Sequence, residues 1–351
     1  MWPLLEFMAL SFSSKSLTGA VVLYIYLRSG AIYTLSNEAA TTNLTAETAA
    51  FNNISHVFLV AHGYLQNSSC VSLYDIRNGI FEQAETQRLT DDVAVILIDY
   101  GPLAGRNLHR KGVSWVVGYP FSVARLRHVI TTTADALHYL QTSGYIDVER
   151  HTFVCIGISL GAHVCGGIGN MLNTRYETLD RRYDRWNRRY VKYFKRIYAL
   201  DPAHPLVIGE GRNRLRYDSA GTVLTLSTDP GTYGTYKTFK SSNIHILVNG
   251  GHPQPGCINH VCSHQYAVTL FTHLIRFINQ TYTEPASNFT YTFNLFEDFM
   301  AMPTSTDANA IAYGNERFLH MDLTAEVSAD AFINPDPTGA IDCGAQIAFD
   351  I

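Results

Sequence analysis

His151-Thr152-Phe153-Val154-Cys155-Ile156-Gly157-Ile158-Ser159-Leu160-Gly161-Ala162-His163 is an apolar run that closes on the pattern G-x-S-x-G. His151 to Ile156 has the length and β-branched content of a buried strand. In G-x-S-x-G the serine sits on a sharp strand-to-helix turn, and glycines two residues before and two after remove the Cβ atoms that would block it. Two glycines around a serine recur by chance, so context decides. The segment that follows, Ala162 to Met171, is rich in small residues, as a helix packed closely on a sheet must be. The stretch is a nucleophile elbow, and Ser159 is the candidate nucleophile.

Further apolar runs of strand length occur at Val21 to Leu27, His56 to Val60, Val93 to Ile98, Ile197 to Leu200, Val223 to Leu226 and Ile244 to Val248. Helical patterns at Val123 to Gln141 and Ala162 to Asn173 separate several of them. This alternation predicts an α/β fold, a mainly parallel central sheet flanked by helices, with function at the strand ends. One α/β domain is expected over 17–280, preceded by a candidate signal segment at 1–16. An irregular extension, 281–351, is expected to pack on the same domain.

The bulk properties narrow the setting. A chain of 351 residues with 46% hydrophobic content buries a large core. Its net charge of -4 lacks the basic excess of a nucleic-acid binder, so no nucleic-acid partner is expected. Cys257 and Cys262 are near enough in sequence to close a small loop, which points to an oxidising compartment. Cys155, inside a predicted strand, reads as a buried free thiol. Sequons at Asn43, Asn53, Asn67, Asn279 and Asn288, and an apolar start from Met1 to Phe12, favour secretion, although the start lacks a basic leader. Leu17 to Leu27 fits a buried strand better than a membrane span.

A serine hydroxyl needs a base within hydrogen-bond reach and a carboxylate that fixes the tautomer of that base. Folds carrying this elbow order the three as serine, acid, histidine, which excludes Asp99. Asp201 and Asp229 remain. Asp201 is preferred because it ends the run Ile197 to Leu200 and precedes Pro202, which suits a sharp exit from the sheet. His245, His252, His260, His264 and His273 all lie downstream, and the residues alone do not choose among them. An oxyanion hole also requires two backbone N–H groups, one of them from the residue after the nucleophile, Leu160.

Leu200-Asp201-Pro202-Ala203, Asn249-Gly250-Gly251, Gln254-Pro255-Gly256-Cys257 and Cys262-Ser263-His264 resemble successive landmarks of the pancreatic lipase family of α/β-hydrolases, and Gly157 to His163 resembles its elbow. The resemblance implies Asp201 as acid and His264 as base, with no cofactor. It also identifies Phe58-Leu59-Val60-Ala61-His62-Gly63-Tyr64 with the strand and His-Gly-aromatic turn that gives the second oxyanion donor, the Tyr64 amide. Cys257 and Cys262 correspond to the lid disulfide.

The departures from the family are informative. Ile158 stands where histidine is usual. Only Ile258, Asn259, His260 and Val261 lie between the lid cysteines, too few to cover a site, which resembles the phospholipase A1 branch. Arg214, Arg216, Asp218 and Ser219 occupy the segment of the family's calcium carboxylates, so no metal is expected. Too few residues follow His264 for the C-terminal β-sandwich of the vertebrate lipases, and none is expected. A helical insertion at about 174–193 gathers Arg181, Arg182, Arg185, Arg188, Arg189 and Lys192 on one sector and Tyr183, Trp186, Tyr190 and Tyr193 on another. Two readings stand for it. Either Arg181, Arg185, Arg188 and Lys192 meet anionic head groups, a peripheral membrane contact, or the aromatic face packs on the domain beneath a solvated basic face.

The expected activity is that of a secreted phospholipase A1 acting on phospholipid or glyceride at a membrane or micelle surface. A triacylglycerol or galactolipid lipase is the same-class alternative. A catalytically silent binding or storage protein on the same fold is the other.

Overall fold

The central strands are apolar on both sides. Along them, residues alternate between two separate cores, so each strand is sandwiched between layers rather than facing water. The structure, a computed structural model, describes residues 21–36, 48–106, 114–180, 192–207, 211, 213–235, 241–276, 282–283, 290–291, 295–296 and 317–321. Its elements in chain order are β1 (Val22–Leu27), β2 (Ile32–Ser36), β3 (Ile54–Ala61), α1 (Val71–Thr86), β4 (Asp92–Asp99), α2 (Trp115–Thr142) and β5 (Thr152–Ile158). There follow α3 (Leu160–Asp180), β6 (Arg196–Leu200), β7 (Thr222–Ser227), β8 (Ile244–Val248) and α4 (His260–Arg276). Last come the two-residue strands β9 (Tyr282–Thr283) and β10 (Thr290–Tyr291), then β11 (Arg317–Met321).

Nine strands form one sheet in the order β11-β8-β7-β6-β5-β3-β4-β1-β2. From β4 to β11 every neighbouring pair is parallel, and β1 joins β4 and β2 antiparallel. Val57, Leu59, Phe153, Cys155, Ile197 and Ala199 face α2 and α3, through Val129, Ile130, Ile168 and Leu172. Their neighbours Phe58, Val60, Val154, Ile156, Tyr198 and Leu200 face α1 and α4, through Leu73, Ile76, Phe271 and Leu274. Burying a side chain of this kind contributes about 1.5–3 kcal/mol, which makes the double-sided centre the stable part of the molecule.

The path of the chain sets the position of the site. From β3 it steps outward to β4, then returns across β3 to β5, so connections leave the β3–β5 junction in opposite directions. Such a switch point opens a crevice at the carboxyl ends of the strands, and Ser159 stands at the carboxyl end of β5.

The seven predicted strands all form. β2, α1, α4 and β11 were not anticipated. The last is a correction: part of the segment expected to be irregular pairs in parallel with β8 and supplies the ninth strand. Leu295 and Phe296 are also buried against the α1 and α4 layer. The Leu295 amide donates to Gln83 Oε1 at 2.9 Å, and its carbonyl accepts from Arg196 at 2.8 Å. Among the described residues no helix is long and apolar enough to cross a membrane.

Candidate active site

At the end of β5 the chain turns so sharply that Ser159 takes φ of +53°, a left-handed conformation unusual for a residue with a side chain. The turn is held by the Ser159 amide on the Leu200 carbonyl, 2.9 Å, and the Ala162 amide on the Ser159 carbonyl, 3.1 Å. A Cβ at Gly161 would run into the Ala61 and His62 carbonyls, and one at Gly157 into the Ala162 backbone. Both glycines of the motif are therefore fixed by close backbone approach. Backbone strain of this kind costs about 1–3 kcal/mol and persists where surrounding packing enforces it.

The return of α3 along β5 brings Cys155 and Cys165 together, and they form a disulfide. The expectation of a free Cys155 thiol is overturned: ten residues separate the pair in sequence, but the elbow folds helix onto strand. Cys257 and Cys262 are bridged as expected. Among the described residues no cysteine is free.

Asp201 directly follows β6, fully buried and at φ of +42°. Its Oδ1 accepts the Thr228 and Asp229 amides at 3.0 and 3.2 Å, and its Oδ2 accepts from His264 Nδ1 at 2.6 Å. A carboxylate only accepts here, so His264 carries a proton on Nδ1, which leaves Nε2 as the acceptor in the neutral ring. Gly234 lies so close that a Cβ would overlap the Asp201 carboxylate. His163, in the elbow helix, binds the Ala203 carbonyl through Nε2 at 2.8 Å and accepts the Leu215 amide at Nδ1, 3.3 Å. It thus ties the loop after Asp201 to α3. Burial lowers its pKa to about 4, so the ring is neutral. Sequence reasoning assigned no role to Gly234 or His163.

Ser159 and His264 line one cavity of about 280 Å³. The rest of its wall is mainly apolar or aromatic, from Tyr64, Tyr119, Ile158, Leu206, Tyr233 and Val261. The Tyr233 ring lies 5.9 Å from that of His264. Leu160 begins α3, so its N–H is one of the helix's unpaired terminal donors, beside Ser159. On the facing loop, Tyr100 N–H donates to His62 Nε2 at 3.1 Å, which leaves His62 Nδ1–H to hold the Gly63 carbonyl at 2.9 Å. The Tyr100 hydroxyl bonds the His62 carbonyl, and the two rings stack at 3.9 Å. Fixing the Gly63 carbonyl orients the planar peptide whose N–H belongs to Tyr64.

Asp229, the other acid candidate, meets a different histidine. His260 Nδ1 donates to its Oδ1 at 2.7 Å, and the Tyr233 amide donates to its Oδ2 at 3.2 Å. The segment aligned with the family's calcium ligands does not suit that ion: both Asp218 carboxylate oxygens are taken by Arg216, each at 2.8 Å. Of the basic insertion, Lys192 is half-buried and Tyr193 buried against Phe153 and Phe194, whereas Arg181, Arg185 and Arg188 lie outside the described residues.

The chain is similar in sequence to known lipases and phospholipases. Probable phospholipase A1 magnifin from Vespa magnifica is 25% identical over 229 residues, 64% of this chain and 60% of its own length. A phospholipase A1 from Vespa velutina is 26% identical, covering 63% and 64%, and lipase member H-B from Xenopus laevis is 26% identical, covering 68% and 46%. The chain thus matches less than two thirds of each of these relatives. Among solved structures, Est1E from Butyrivibrio proteoclasticus aligns at a TM-score of 0.32 with 8% identity, over 73% of this chain and 91% of that one. The family model described as Lipase matches residues 30–307, most of the sequence, and the chain, with its α/β-hydrolase fold, belongs to the lipase family.

Proposed function

We propose that the protein is a carboxylic ester hydrolase of lipids, specifically a secreted phospholipase A1, with Ser159 as nucleophile, His264 as base and Asp201 as its orienting acid. The observation that carries this is the joint exposure of Ser159 and His264 in one apolar cavity, with His264 anchored on a fully buried Asp201. Ser159 Oγ attacks the ester carbonyl while His264 Nε2 takes the hydroxyl proton. The oxyanion accepts the Leu160 and Tyr64 amides. Its collapse expels the lysophospholipid alkoxide, which receives the proton from His264, and leaves an acyl-serine. Water, deprotonated by His264, attacks the acyl carbon, releasing fatty acid and regenerating Ser159.

The cavity is at the small end of ligand pockets, which run from roughly 300 Å³ upward, and so suits one acyl chain rather than a whole lipid. The head group then remains outside, as the short Cys257–Cys262 loop permits. Leu206, 56% exposed, lines the cavity, and Val117 and Ile258, 55% and 95% exposed, lie two and three residues from its lining at Tyr119 and Val261, apolar surface suited to a lipid. The disulfides suit a secreted protein.

Labelling with a fluorophosphonate, followed by side-by-side turnover of phosphatidylcholine and triolein, tests the reading. Labelling at Ser159 with release of 2-acyl-lysophosphatidylcholine is expected. Preference for triolein would make the protein a triacylglycerol lipase, and absence of labelling would make it a silent binding protein.

A further inference from the structure

Asp229, His252 and His260 form a cluster apart from the proposed triad. Asp229 follows β7, His252 follows β8, and His260 lies within the disulfide loop where α4 begins. Asp229 Oδ1 is 2.7 Å from His260 Nδ1 and 3.8 Å from His252 Nδ1, and one ligand atom from each of the three lies within 4.8 Å of the others. The imidazoles stack at 3.8 Å.

We propose that this trio is a binding site for a borderline divalent cation of the zinc class, which clamps the disulfide loop to the ends of β7 and β8. Two imidazoles and one carboxylate are a donor set such ions favour, with water as the fourth ligand. Bonds of about 2.1 Å in a tetrahedron place ligand atoms about 3.4 Å apart. The observed 2.7 and 3.8 Å bracket that edge, and the two stacked rings must turn apart to aim both nitrogens at the ion.

The neighbouring hydrogen bonds hold the three ligand groups together. Ser263 Oγ accepts the Gln254 amide at 3.1 Å and lies 2.9 Å from His252 Nδ1, to which its own hydroxyl proton is available. Binding the ion exchanges this hydrogen bond for a metal bond, because His252 Nδ1 has one lone pair in the ring plane. His260, with a 43% exposed side chain, has room to turn its Nδ1 from the carboxylate oxygen toward an ion between them. Asp229 is fully buried, and the Tyr233 amide on its other oxygen fixes the carboxylate as a supporting partner fixes a metal ligand.

Untagged, chelator-treated protein titrated with zinc chloride, followed by calorimetry and thermal unfolding, tests the site. Cobalt(II) absorption adds a coordination signature. A single bound ion, a rise in Tm of several degrees and a tetrahedral cobalt spectrum are expected. His252→Asn and His260→Asn should each abolish all three, while His264→Ala should keep them. Absence of binding by the wild type, or binding that survives both substitutions, overturns the proposal. Loss in His264→Ala also overturns it, by placing the ion on the other histidine. None of these results bears on phospholipid turnover, so the site and the proposed activity stand or fall separately.

Discussion

Two aspartate–histidine pairs lie side by side in this molecule, and distance does not tell them apart. His264 Nδ1 stands 2.6 Å from Asp201, and His260 Nδ1 2.7 Å from Asp229; both carboxylates are fully buried. What separates them is the far side of each ring. His264 lines the cavity that also exposes Ser159, whereas His260 is absent from that lining and stacks on His252. The pairs are also ranked by support: the Asp229 amide donates to Asp201 Oδ1, so the second aspartate braces the first through its backbone rather than its side chain. A buried acid and a histidine become a relay only where the histidine faces a nucleophile and a space for substrate.

The comparison breaks most simply at the nucleophile. Ser159→Ala is expected to cut hydrolysis of a soluble ester by at least about 10³-fold while leaving the unfolding transition in place. Substantial remaining turnover would move the chemistry elsewhere. Swapping the acids is the sharper test. Asp201→Asn should lower kcat by about 10³–10⁴-fold, because the amide favours the wrong His264 tautomer. Asp229→Asn keeps the backbone amide on Asp201 and should cost less than about tenfold. The reverse ranking would assign the relay to Asp229.

The difference between the pairs was only half legible in the sequence. Ser159 is marked by a local pattern, because its environment is built by residues two positions away. Asp201 follows a predicted strand directly and precedes Pro202, which favours it over Asp229, but five histidines follow, so residue chemistry leaves the pairing open. Asp201 and His264, 63 positions apart, were joined by family resemblance. The sheet centre was readable because its strands are apolar on both faces. Helix α1 was missed although Leu73, Ile76, Ile80 and Ala84 recur at helical spacing, since the remainder of that segment is largely polar. β11 pairs with a strand some seventy residues earlier, a contact no local pattern encodes. Gly234, His163 and the Cys155–Cys165 bridge depend likewise on what the elbow and its neighbouring loops bring into contact.

A third histidine sharpens the contrast by acting on stability. His163 is buried and neutral, with its pKa lowered from 6.5 to about 4, and burial lowers that of His56 to about 4 as well. Between those values the unfolded chain binds protons that the native state does not, so stability rises with pH across this window. Their contribution is complete above about pH 6.5 and lost on acidification toward pH 4, by up to a few kcal/mol for the fully buried ring. Urea unfolding at pH 7 and pH 4.5 should show this fall, and His163→Asn should reduce the pH slope. An unchanged slope in His163→Asn would mean that the ring is already charged in the fold.

The smallest effect is expected where the second pair touches the disulfide loop. A lid that gates an apolar site must cover it and exchange one buried face for another, which four residues between bridged cysteines are too short to do. Ile258 is already 95% exposed, so an apolar face waits at the surface without any opening step. The rate on a short-chain phospholipid should therefore rise smoothly through the critical micelle concentration. His260→Asn, which removes the loop's bond to Asp229, should not change the shape of that curve. A sharp jump at the micelle concentration would mean that the loop closes the cavity in solution, and a jump present only in wild type would make the Asp229–His260 pair its latch.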